Sequence, residues 1–213
     1  MVFDVLLDRR CPGCGGAHRA ICGACVNRLE RRRWTGGPIT VPADGPGLPV
    51  TALFVYDDLV ARIVLAAKNG GHRRAAGCLG EWLGRAVTHR FGVDDRPDLV
   101  TWVPASPLHL RRRPYDQGEL LARSVARRLG VPARRLLRRR DRRTQANLAR
   151  PDRLRGPALT ARSGSRRPGS DRPGRVLLVD DVTTTGASLA RAGEALAAAG
   201  HLPVGAAVAA VSL

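Results

Sequence analysis

Two adjacent carboxylates followed by a run of small hydroxylated residues stand in the stretch RVLLVDDVTTTGASLA, Arg175 to Ala190. Val176 to Val179 reads as a short strand buried on both faces. Asp180 and Asp181 then fall at its carboxyl end, where open α/β sheets bind ligands. Thr183, Thr184, Thr185, Gly186, Ala187 and Ser188 follow and lead into a helix. A hydroxyl-rich turn at a helix amino end cradles phosphate, because free N–H groups and the helix dipole both face the anion. Carboxylates beside such a turn suit sugar hydroxyls or a hydrated Mg²⁺. A sugar phosphate satisfies both halves. The plain alternative, Asp181 and Thr183 capping an ordinary helix, explains one acid and one hydroxyl but not their concentration. No G-x-x-x-x-G-K-[ST] loop occurs, so the stretch is not a nucleoside-triphosphatase P-loop.

A second constellation lies near the start: Cys11-x2-Cys14, seven residues, then Cys22-x2-Cys25. Two such pairs can bite one tetrahedral ion, and zinc is the expected occupant. His18 could replace one ligand, although four cysteines already close the site. A closed site leaves no position for substrate, so its role is structural. Cys78 sits in a helical pattern as a small buried residue. His72, His89, His109 and His201 show no pairing that suggests a triad or a metal set.

Lys68 is the only lysine among 36 basic residues. A compact ammonium and a guanidinium are not equivalent beside a phosphate, which singles Lys68 out. The net charge of +18 predicts attraction to anions: nucleic acid, phosphates or an acidic partner. Aromatics are 4% of the chain, so stacking platforms for bases are scarce and any nucleic-acid contact is electrostatic. No apolar run approaches a membrane span, and MVFDVLLDRRCPGC lacks a signal peptide's apolar stretch. A cytoplasmic protein is expected.

Those groups need elements to position them. Residues 1–34 form the cysteine module and 35–50, rich in Gly and Pro, read as a linker. Thr51 to Tyr56, Leu99 to Val103, Val176 to Val179 and Val204 to Val211 read as strands. Leu59 to Lys68, Arg74 to His89, Glu119 to Leu129 and Ala187 to Ala199 read as helices, with Gly130 and Gly200 as stops. The Arg-dense segment 134–174 reads as a mobile loop. Strands alternating with helices over 51–213 predict an α/β fold, a mostly parallel sheet flanked by helices.

VLLVDDVTTTGASL resembles the 5-phosphoribosyl-1-pyrophosphate (PRPP) motif of type I phosphoribosyltransferases. The double CxxC, ARIVLAAKNGG, VPASPLHLRRRPYDQGELLARSVARRLG and RTQANLARPDRLRG together resemble the ComF/GntX family of phosphoribosyltransferase-like proteins, associated with competence and DNA uptake. That resemblance spans nearly the whole chain. It implies that Asp180 and Asp181 hold the ribose, directly or through Mg²⁺, and that Thr183 to Ser188 wrap the 5-phosphate. It makes Val103 to Pro107, with Pro104, Ala105 and Ser106, the pyrophosphate turn, and Lys68 matches the family's lysine. Lys68 and Arg111 to Arg113 are then candidates to stabilise the leaving group, with a solvated surface run as the plain alternative for the arginine triplet. Gln145 and Leu148 fall on a mobile-loop motif, and Gln117 and Glu119 match an NQSE segment. RRRPYDQ departs from the usual RxRGFNQ, and RLRGPAL from RxxNxxGAF, which weakens the case for loop closure. Two functions follow: Mg²⁺-dependent phosphoribosyl transfer to an acceptor not readable here, or a non-catalytic module that binds single-stranded DNA or a DNA-uptake helicase.

Overall fold

The computed structural model describes residues 10–18, 20–37, 39–42, 47–68, 72–91, 96–107, 110, 115–140, 157–162 and 173–212. Its elements are α1 Gly23–Glu30, β1 Ile39–Val41, β2 Leu48–Val55, α2 Asp58–Lys68, α3 Arg73–Thr88, β3 Leu99–Trp102, α4 Gln117–Leu129, β4 Leu137–Arg139, β5 Leu159–Ala161, β6 Arg175–Thr183, α5 Ala187–Ala198 and β7 Leu202–Val211. The main sheet runs β1-β2-β7-β6-β3. Only the edge strand β1 is antiparallel; the β2–β7, β7–β6 and β6–β3 pairs are parallel.

The unbroken apolar runs of β6 and β7 follow from burial on both faces. Leu177 and Val179 join a core with α2, α3 and α4, whereas Val176 and Leu178 pack with Leu189, Ala192 and Leu196 of α5. Alanines 206, 207, 209 and 210 thin the middle of β7, so helices lie close on either side. This is the α/β architecture expected from the alternation of elements.

Three local expectations change. The stretch read as a linker contains β1 and the start of β2. Its Val41 and Leu48 are buried, and their pairing covers the edge of β2. Within the segment read as a loop, β4 and β5 form an antiparallel ribbon, Leu137 opposite Ala161, held down by buried Leu136 and Leu137. The cysteine segment carries helix α1, whose Cys25 and Leu29 lie one turn apart and face the core.

Candidate functional site

The strand bearing the aspartates outlasts its neighbour. β3 ends at Trp102, and Val103 makes a last backbone bond to the Val179 carbonyl (3.0 Å). β7 accompanies β6 farther, to Thr183 opposite Val211. Asp180 and Asp181 therefore stand within the last four residues of a strand, not beyond it. Where β3 peels away a cleft of about 290 Å³ opens, and Lys68, Ser106, Gln117, Asp180, Asp181 and Thr184 are among its walls.

Within the cleft Lys68 Nζ lies 2.5 Å from Asp181 Oδ2. The Asp181 N–H donates to Asp180 Oδ1 and the Val182 N–H to Asp181 Oδ1, both at 2.8 Å. Burial and the neighbouring Asp181 charge push the Asp180 carboxyl well above the usual range, against the pull of Lys68. Burial works on Asp181 too, but Lys68 and the Val182 N–H outweigh it and hold that carboxyl below its usual range. The two carboxyls are thus pushed in opposite directions, Asp180 up and Asp181 down.

The walls are tied by residues that composition does not single out. Asp116 caps α4: its Oδ1 accepts the Gly118 N–H (3.1 Å), and its Oδ2 accepts Trp102 Nε1–H (3.2 Å) and the Ala105 N–H (3.4 Å). One carboxylate therefore links β3, the 103–107 turn and α4. The signal was Asp116-x-x-Glu119, the spacing of a capping box. Tyr115 donates its hydroxyl to the Ala67 carbonyl at 2.7 Å, and the Arg73 guanidinium stands 5.2 Å from its ring centre. The end of α2, with Lys68, is fixed by that bond.

The hydroxyl turn encloses a smaller hollow of about 90 Å³, lined by residues 182–188. Gly186 there has φ +76°, and a Cβ would stand 2.6 Å from Val41 Cγ2. Only glycine suits that left-handed conformation and that close approach.

Of the residues expected to act together, Lys68, Pro104, Ala105, Ser106, Asp180, Asp181, Thr184 and Ser188 line one cleft. Thr183, Thr185, Gly186 and Ala187 form the adjoining cradle. Arg111 and Gln145 lie outside the described residues. Sequence reasoning missed Tyr115, Asp116 and Arg139 in the cleft wall.

The sulfurs of Cys11, Cys14, Cys22 and Cys25 all lie within 4.8 Å of one another. Cys14 Sγ and Cys22 Sγ are 3.7 Å apart, close to the ~3.8 Å edge of a tetrahedron with zinc–sulfur bonds of about 2.3 Å. Burial raises the Cys11 thiol, but the N–H groups of Cys22, Cys14 and Gly13 prevail and bring it to about 6. Burial pushes Cys25 up to about 12. The cluster fits zinc by donor set and spacing, and His18 is not part of it. Cys11, Cys22 and Cys25 share a core with Leu59 and Ile63 of α2, and Arg62 Nε donates to the Gly13 carbonyl at 3.3 Å.

Residues 114–211 match the model of the phosphoribosyl transferase domain. No curated protein matches the chain. Among solved structures, adenine phosphoribosyltransferase of Thermoanaerobacter pseudethanolicus is 16% identical over 88% of this chain and 98% of that one, with a TM-score of 0.45. The Leishmania donovani adenine phosphoribosyltransferase is 16% identical over 90% and 79%, with a TM-score of 0.44. The glutamine PRPP amidotransferase of B. subtilis is 21% identical over 63% of this chain, with a TM-score of 0.41, and the match spans only 26% of its length. No helix among the described residues is long and apolar enough to cross a membrane. The matched residues carry α4, the aspartate strand, the hydroxyl turn and β7, within an α/β phosphoribosyltransferase-like fold that stands behind a four-cysteine cluster.

Proposed function

We propose that the chain binds PRPP in this cleft and transfers its phosphoribosyl group to an acceptor with loss of pyrophosphate. One observation carries the reading: the two aspartates of β6 line one cleft, and that cleft shares Val182, Thr184 and Ser188 with the hollow of the 183–188 cradle. A ligand with a phosphate in the cradle presents its ribose hydroxyls to Asp180 and Asp181. The turn at Pro104, Ala105 and Ser106, with Lys68, receives the pyrophosphate.

Two neighbouring carboxylates form an oxygen donor set suited to Mg²⁺, and the ion would offset charge on the departing pyrophosphate. The chain's own part is positioning and electrostatics. The cradle's N–H groups anchor the phosphate. The aspartates hold the ribose and favour positive charge developing at its anomeric carbon. Lys68 stabilises negative charge on the leaving oxygens. Arg111 and Gln145, which the ComF-like resemblance adds to the set, belong to the same proposal. A cytoplasmic setting and a tie to DNA uptake belong to the same ComF-like reading.

The test is calorimetric titration with PRPP, with and without Mg²⁺. Mg²⁺-dependent binding lost in Asp180→Asn/Asp181→Asn supports the site. Failure of folded wild-type protein to bind PRPP or ribose 5-phosphate overturns it.

A second reading rests on a different place. Arg138, Arg140 and Arg162 line a hollow of about 390 Å³ on the β4–β5 ribbon, with no carboxylate among its described lining residues. Such a face suits the backbone of single-stranded DNA, bound by counterion release. In that case the aspartate double variant spares DNA binding, and replacing the ribbon arginines removes it together with its salt dependence.

A further inference from the structure

Gln117, the first residue of α4, lines the cleft and is 5% exposed. Neither its Nε2 nor its Oε1 has a hydrogen-bond partner, and both atoms are shielded from water. The groups around it are occupied. Asp116 serves three donors, and Tyr115 is bound to Ala67. A buried carboxamide with both ends unpaired is destabilising, because it has given up its water bonds and gained none. Such a group persists where a bound molecule supplies the missing partners.

The surroundings define what that molecule presents. Gly118, next in the chain, approaches the 103–107 turn so closely that a Cβ would stand 3.3 Å from the Val103 carbonyl oxygen. Gln117 therefore sits beside the 103–107 turn. Lys68 and Arg139 line the same cleft, and the amino end of the 13-residue α4 adds its partial positive charge. The amino end of α4, next to the turn, favours an anion here, with Asp116, Asp180 and Asp181 the carboxylates of the same wall.

Building on the PRPP reading above, we propose that Gln117 is a specificity-determining residue that reads the diphosphate end of the ligand. Its NH₂ donates to phosphoryl oxygen, and its Oε1 accepts from the metal-bound water that accompanies a diphosphate. Ribose 5-phosphate, which lacks that end, makes no use of it.

Calorimetry of wild type and Gln117→Leu with Mg²⁺-PRPP, Mg²⁺-pyrophosphate and ribose 5-phosphate separates the outcomes, with thermal unfolding of the unliganded proteins alongside. The expected result is a loss of about tenfold in affinity for PRPP and pyrophosphate, unchanged ribose 5-phosphate binding, and a higher Tm for the variant. Gln117→Glu, isosteric but anionic, should lose still more affinity for both diphosphates. Equal losses for all three ligands, no loss for any, or a lowered Tm in Gln117→Leu would overturn the assignment. Wild-type protein that binds none of the three would overturn the PRPP reading itself, and the role of Gln117 with it.

Discussion

Lys68 Nζ sits 2.5 Å from Asp181 Oδ2, so the only lysine of the chain is the cation of its acidic pair. Removing it leaves two carboxylates in a cleft without that charge. Lys68→Met should lower stability by about 1–3 kcal/mol, the cost of leaving a charged, largely buried hydrogen-bonding group unpaired. PRPP affinity should fall at least ~10-fold, as for loss of a charge-assisted bond. Denaturant unfolding and calorimetry measure the two effects.

Asp180 gives a pH signature. Its folded pKa is raised, so on raising the pH the unfolded chain releases this proton first while the native state still holds it. Stability attributable to Asp180 is present below the ordinary carboxylate range and declines as pH rises toward the folded value. Asp181 is the reverse: lowered in the fold, it stabilises above the ordinary range, and that contribution is lost as pH falls through its folded value. Asp180→Asn should therefore raise Tm near neutral pH and flatten its decline with pH. Magnesium binding to wild type should release a proton, detected as a dependence of calorimetric heat on the buffer's ionisation enthalpy.

Asp116→Ala should uncouple the turn from α4. Three donors, on Trp102, Ala105 and Gly118, lose their acceptor. We expect a loss of about 1–3 kcal/mol and weaker pyrophosphate binding than ribose 5-phosphate binding, because the turn moves and the cradle does not. Equal weakening of the two ligands would count against the assignment of the turn.

Gly186→Ala should distort the cradle. The added methyl meets Val41, and the backbone at φ +76° is strained for alanine. A cost of about 1–3 kcal/mol is expected. The decisive measurement is ribose 5-phosphate affinity, which should fall more than magnesium affinity.

Zinc loading should follow pH, since thiols must lose protons to ligate. Metal analysis should find about one zinc per chain. Chelation should lower Tm, and Cys25→Ser should do the same in the absence of chelator.

The parts of the site legible in the sequence were those set by local chemistry. The apolar run at 176–179 followed by acids and hydroxyls announced strand, carboxylates and cradle, because each depends on neighbours in the chain. The cysteine spacing did likewise. Lys68 stood out by residue type alone. What escaped depends on distant partners. Nothing local reveals that Tyr115 reaches the Ala67 carbonyl, or that β3 stops four residues short of the end of β6. β1 was hidden because a three-residue strand amid glycines and prolines owes its existence to the edge it covers. The ribbon was hidden because its arginines mask the buried Leu136 and Leu137.

The order of strands also sets an order of assembly. β2 and β6 are not neighbours in the sheet; β7 pairs with both. Val41, early in the chain, closes against Gly186, late in the chain. The cradle is thus completed by contacts of long sequence separation, which form slowly because loop closure precedes any gain from them. During refolding, the Cys11–Cys25 module and the α3–α4 pair can form from nearby sequence, while the ligand site waits for the last strand to insert. Recovery of ligand binding would therefore report the final step of folding rather than its average progress.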